Sequence, residues 1–125
     1  MDANLATVYI VDDDDAVREA LGALLDSVSL RYASFPSGEA FLSAASPNVR
    51  GCLLLDVRMP GMSGLELQRK LRDQGFALQI IIITGHGDVP MAVRALKTGA
   101  SDFIEKPFNE QDLLDRIQTC LKEDH

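Results

Sequence analysis

The chain has only two cysteines, Cys52 and Cys120, both in apolar surroundings and at no spacing that suits a metal. The expectation is two buried, reduced thiols, as in a cytosolic protein. No apolar run approaches the ~20 residues that span a bilayer. Met1-Asp2-Ala3-Asn4 places no basic segment ahead of an apolar stretch, so no signal peptide is expected. The expected address is the cytoplasm, with no membrane partner. Positive charge is also scarce: 12 Lys and Arg face 19 Asp and Glu, a formal net charge of −7. Affinity for nucleic acid comes mainly from neutralising phosphates, so direct DNA binding is not expected. Any contact with DNA would need a separate basic domain.

The 125 residues are expected to form one domain over 1–125, with 46% apolar residues to fill its core. β-rich apolar runs alternate with helical patterns from end to end. Thr7–Val11 reads as a strand. Apolar residues at 17, 20, 21, 24, 25 and 28 follow with the spacing of an amphipathic helix. Arg31–Phe35 is a short second strand, and Ser37 is placed to cap a helix through Ala40 and Phe41. Cys52–Leu55 reads as a strand buried on both faces. Ser63 and Glu66 have capping-box spacing ahead of Leu67 and Leu71. Ile80–Ile83 is the clearest strand, being four β-branched residues in a row. Asp88 is expected to cap the next helix, with Pro90 in its first turn, Val93 and Leu96 along it, and Gly99 at its end. Ser101–Ile104 is the last strand. Asn109 opens a closing helix with Leu113, Leu114, Ile117 and Leu121 on its apolar side. Five βα units predict an α/β fold, a doubly wound five-stranded parallel sheet of order 2-1-3-4-5.

In that order the first and third strands are neighbours, and ligands bind at the strands' carboxyl ends. The first strand ends in Asp12-Asp13-Asp14-Asp15 and the third in Asp56. Asp12, Asp13 and Asp56 should crowd together, and like carboxylates resist ionising together unless a cation is present. An all-oxygen donor set of this kind suits Mg²⁺. Thr84 ends the fourth strand, and Lys106 follows the fifth. A lysine supplies a point charge for a phosphate oxygen, and a hydroxyl supplies a hydrogen bond. Together these groups suit phosphoryl transfer, which is mostly positioning and charge neutralisation. Asp14 and Asp15 are better read as a solvated turn favouring a helix N-terminus.

Val11-Asp12-Asp13, Asp56 with Met59-Pro60-Gly61, Thr84-Gly85 and Lys106-Pro107 resemble the receiver domains of two-component response regulators, which have the flavodoxin/CheY-like (βα)₅ fold. The resemblance covers essentially the whole chain. The stretch Thr84–Val93, with Asp102–Phe108, looks like the FixJ-type branch. The resemblance implies that Asp56 accepts a phosphoryl group from a sensor histidine kinase, so that the chain catalyses only its own phosphorylation and dephosphorylation. It implies that Asp13, Asp56 and the backbone carbonyl of Arg58 ligate Mg²⁺, with Asp12 orienting the metal or its waters. It implies that Thr84 and Lys106 hold the phosphoryl oxygens, that Phe103 moves as Thr84 moves, and that the Lys106-Pro107 bond is cis. The face formed by helix four, strand five and helix five is then expected to control a phosphorylation-dependent homodimer or an output domain, with Val93, Lys97 and Asp102 on it. The side chains of Arg58 and His86, each two residues beyond a site residue, are expected to flank the mouth of the site.

Rival readings fit less well. A hydrolase of the haloacid dehalogenase type needs a general acid two residues after its nucleophile, where this chain has Arg58. An FMN-binding module needs an anion-friendly first loop, and here four aspartates stand in that place. A stand-alone receiver and the N-terminal part of a longer transcription regulator remain two expectations, the second favoured by the FixJ-like stretch.

Overall fold

A computed structural model of the chain describes residues 6–85 and 87–122. Its elements run β1 Thr7–Val11, α1 Asp15–Ser27, β2 Tyr32–Phe35, α2 Gly38–Ala44, β3 Gly51–Asp56, α3 Gly64–Asp73, β4 Gln79–Thr84, α4 Val89–Thr98, β5 Asp102–Glu105 and α5 Glu110–Lys122. The strands form one sheet in the order β2-β1-β3-β4-β5, every pairing parallel. This is the expected fold and strand order.

Alternation along the strands sends side chains to two separate cores. Val8, Ile10, Leu54, Ile81 and Ile83 pack with Leu21 and Leu25 of α1 and with Leu113 and Ile117 of α5. Val11, Leu53, Leu55, Ile80 and Ile82 pack with Phe41 of α2, Leu67 and Leu71 of α3, and Ala92 and Ala95 of α4. The Ile80–Ile83 run therefore serves both layers, and burying each isoleucine stabilises the fold by roughly 1.5–3 kcal/mol. Cys52 and Cys120 are both buried, as expected.

Helix starts follow local chemistry. The Asp14 carboxylate accepts hydrogen bonds from Ala16 and Val17 amides and so caps α1. Ser37 accepts from the Ala40 amide, and Ser63 and Glu66 form a complete capping box. Three expectations need correction. Ala20 and Val28 lie exposed, because α1 buries a narrower stripe and Val28 is already its C-cap. The second and last strands begin at Tyr32 and Asp102, each one residue later than expected. Asp88 stands at the N-cap position of α4 but makes no side-chain capping bond.

The strand order brings the carboxyl ends of β1 and β3 side by side, with Val11 level with Leu55. Asp12 and Asp56 come next on each strand's path. Gly64 permits α3 to start directly against this edge. A Cβ there would stand 2.6 Å from the Asp56 carbonyl oxygen and 2.8 Å from Val57 Cα.

Candidate functional site

Asp12 is 1% exposed and Asp56 is 9% exposed. Asp13 belongs to the same acidic group but is exposed. One carboxylate oxygen from each of the three lies within 4.8 Å of the others. The Asp12 carboxylate is held on one side only. Its Oδ1 accepts the Asp14 amide at 2.9 Å. Its Oδ2 is buried and accepts no hydrogen bond, and Lys106 Nζ lies 3.7 Å from it. The Asp12 backbone is pinned by Arg18, whose Nη1 donates to the Asp12 carbonyl at 2.6 Å. Asp15, for its part, pairs with Arg18.

Electrostatics follow from this crowding. Burial pushes the Asp56 carboxyl up from 3.8 to about 6, and the neighbouring Asp12 charge adds to the rise. The Arg58 amide, donating to Asp56 Oδ1 at 3.2 Å, and Lys106 work against it. Burial likewise raises the Asp12 carboxyl, opposed by the Asp14 amide and by Lys106. The pocket thus holds more negative charge than its own cation and amides offset. Its donors are all oxygen, and one buried oxygen accepts no hydrogen bond. Asp12, Asp13 and Asp56 fit a hard divalent cation such as Mg²⁺.

The remaining expected residues take up varied positions. Thr84 is fully buried at the end of β4, next to the carboxyl end of β3. Its hydroxyl donates to the Gly85 carbonyl at 3.4 Å, and its own carbonyl accepts the Lys106 amide at 2.8 Å. The Lys106-Pro107 bond is cis. Phe103 is half-buried and packs against the core layer that contains α4, rather than filling the core outright. Val93 and Lys97 are exposed on α4. Asp102 is half-buried, and its carboxylate accepts from Arg116 Nη1 at 2.7 Å and from the Phe103 amide at 2.8 Å. Arg116 also donates to the Phe103 carbonyl at 3.0 Å.

The Arg58 amide bonds Asp56, but the Arg58 side chain turns to Asp88. Its guanidinium grips Asp88, with Nη2 2.6 Å from Oδ1 and Nε 3.1 and 3.2 Å from the two oxygens. These bonds hold the Asp88 carboxyl below its usual range. His86 lies outside the described residues. Sequence reasoning missed Arg18, Gly64, Asp88 as the partner of Arg58, and Arg116. Of these Arg18 and Arg116 left a signal, their three- and four-residue spacing from Asp15 and Asp112 on one helix face.

Residues 8–118 match the model of the response regulator receiver domain. The chain belongs to the response regulator receiver family. Receivers of this family are parts of two-component systems, and the curated relatives fit that placement. The response regulator protein TmoT of Ectopseudomonas mendocina is 56% identical over 117 residues, which are 94% of this chain and 53% of the relative. The transcriptional regulatory protein FixJ of Azorhizobium caulinodans is 50% identical over 114 residues, 91% of this chain and 54% of the relative. The crystal structure of FixJ-N superposes with a TM-score of 0.88 at 47% identity, covering 95% of each chain. The FixJ-type resemblance seen in Thr84–Val93 thus extends to the whole receiver. This receiver spans about half the length of the curated relatives it matches. Among the described residues, no helix is long and apolar enough to cross a membrane.

Proposed function

We propose that this receiver accepts a phosphoryl group on Asp56 from the phosphohistidine of a sensor histidine kinase, with Mg²⁺ at the site, and passes the change to the surface formed by α4, β5 and α5. The observation that carries this reading is the grouping of Asp12, Asp13 and Asp56 within 4.8 Å, beside a lysine. With its carboxyl at about 6, Asp56 is mostly ionised at neutral pH and able to attack. An Asp56 oxygen forms a bond to phosphorus as the phosphorus–nitrogen bond breaks. The electron pair returns to the imidazole, which takes up a proton.

Asp13, Asp56 and the Arg58 carbonyl would hold the Mg²⁺, with Asp12 orienting it or its waters. The ion, when bound, neutralises carboxylate and phosphoryl charge. Lys106 and the Thr84 hydroxyl bind phosphoryl oxygens and orient the group. An apolar groove lined by Val17, Leu21, Leu24 and Phe108 runs up to Lys106. A helical segment of the kinase seated there would bring its phosphohistidine to the acidic group.

Phosphorylation exchanges one negative charge for nearly two, with three acceptor oxygens. Thr84 moves toward them, Phe103 turns into the space it leaves, and the face carrying Val93, Lys97 and Asp102 changes. That face controls a homodimer or an output domain. The region 1–125 acts as the N-terminal receiver of a longer, cytoplasmic regulator of transcription, in keeping with relatives twice its length. Its catalysis is confined to its own phosphorylation and dephosphorylation. Intact mass after incubation with Mg²⁺ and a small acyl phosphate tests the reading. One phosphoryl adduct is expected on the native chain and none on Asp56→Asn, whereas an equal adduct on both would overturn it.

A further inference from the structure

The N-cap of α4 differs from others in this protein. Asp14, Ser37 and Ser63 all have extended backbone, with ψ of 115°, 163° and 165°, and each side chain accepts first-turn amides. Asp88 has ψ of 11° and caps nothing with its side chain. Aspartate is among the best capping residues, so its chemistry does not explain the departure. Its carboxylate is instead taken by Arg58, thirty positions away in sequence. That guanidinium also reaches Met91 Sδ at 3.6 Å, over the first turn of α4.

Pro90 lies in the first turn and has no N–H, which leaves the Met91 amide as the natural target for a capping carboxylate. At present that amide makes a short-range bond to the Asp88 carbonyl at 3.0 Å. Moving Asp88 into the capping geometry requires its ψ to swing into the extended range. Such a swing moves Gly87, directly before Asp88, against the start of α4. Gly87, at φ +97°, occupies a conformation suited to glycine.

From this we infer that Asp88 is a two-position latch: Arg58 holds it in the unphosphorylated receiver, and phosphorylation of Asp56 draws Arg58 away and releases Asp88 to cap α4. Arg58 is suited to both partners. Its amide already bonds Asp56 Oδ1, its side chain is largely exposed, and guanidinium binds a phosphoryl dianion more strongly than a carboxylate monoanion. An exposed ion pair and a helix cap are of similar strength, so a nearby charge change can tip the balance. Arg58 and Asp88 are positioning residues on this account. The inference rests on Asp56 being the phosphoacceptor.

The test follows the Met91 amide by NMR hydrogen exchange in the native chain, Arg58→Ala and Asp88→Ala, each before and after treatment with Mg²⁺ and acyl phosphate. Intact mass of the same samples records the adduct. In the native chain, exchange at Met91 should slow on the order of two- to tenfold on phosphorylation. Unphosphorylated Arg58→Ala should already show the slower rate, and Asp88→Ala should show it in neither state. A structural role for the pair alone would make Arg58→Ala faster, and that result, or an unchanged Met91 rate in an adduct-bearing native chain, overturns the latch. If no adduct forms, the phosphoacceptor reading fails, and unphosphorylated Arg58→Ala against the native chain still decides whether Arg58 withholds Asp88 from the cap.

Discussion

Lys106 Nζ lies 3.7 Å from Oδ2 of Asp12, a buried oxygen with no hydrogen bond of its own. In the protein without metal, this lysine is the cation nearest that oxygen among the described contacts. Lys106→Met should lower stability by about 1 kcal/mol at neutral pH, measured by urea denaturation. The loss should shrink in acid as Asp12 protonates, since the pair exists only when the carboxyl is ionised. If Lys106 binds phosphoryl oxygens as proposed, the same variant should accept phosphoryl groups more slowly.

Asp56 gives a pH signature. Its carboxyl is raised from 3.8 to about 6 in the folded protein. Below the unfolded value both states are protonated and the site costs nothing. Between the two values the unfolded chain loses its proton first, so stability falls as pH rises and then levels off above about 6. With metal chelated, Asp56→Asn should therefore stabilise the protein at pH 7 by up to roughly 2–3 kcal/mol. The gain should shrink steadily as pH falls below about 6 and vanish only below the unfolded value of 3.8. A flat difference across that range would contradict the crowding account.

Mg²⁺ should relieve the same crowding. Because it binds the folded site and not the unfolded chain, it should raise Tm in proportion to its occupancy. Asp13 faces solvent, so Asp13→Asn should leave Tm without metal nearly unchanged while abolishing most of the Mg²⁺-dependent rise. Scanning calorimetry with and without Mg²⁺ measures both quantities on one sample.

Much of this architecture was legible in the sequence, and the reason is periodicity. Ile80–Ile83 and Leu53–Leu55 can serve both faces of a central strand, and no helix pattern accommodates them as well. Strand order then brought Asp12, Asp13 and Asp56 to one edge, so the acidic group was predictable without any side-chain detail. What resisted was pairing between distant residues. Nothing near Asp88 reveals that Arg58, rather than its own helix, holds its carboxylate. Nothing near Asp102 reveals that Arg116 engages it from α5. Gly64 looked like part of a capping motif only, and its contact with the Asp56 carbonyl emerges once β3 and α3 are docked.

Val93 is one of the large apolar residues left exposed, at 38%. An exposed valine contributes little to folding, so Val93→Asp should cost no more than about 0.5 kcal/mol. Phosphorylation should proceed normally in this variant, while phosphorylation-dependent association, followed by analytical ultracentrifugation, should be lost. Association equal to that of the native chain would remove α4 from the proposed interface.

The central claim is that one particular carboxylate carries the phosphoryl group. Borohydride reduces an acyl phosphate to an alcohol and so marks the aspartate that bore it. Treating the protein with Mg²⁺ and acyl phosphate, reducing it, and sequencing its peptides by mass spectrometry locates that residue. The account predicts homoserine at position 56 alone, and only when Mg²⁺ is present. Homoserine at position 12 or 13, or labelling indifferent to Mg²⁺, would contradict it.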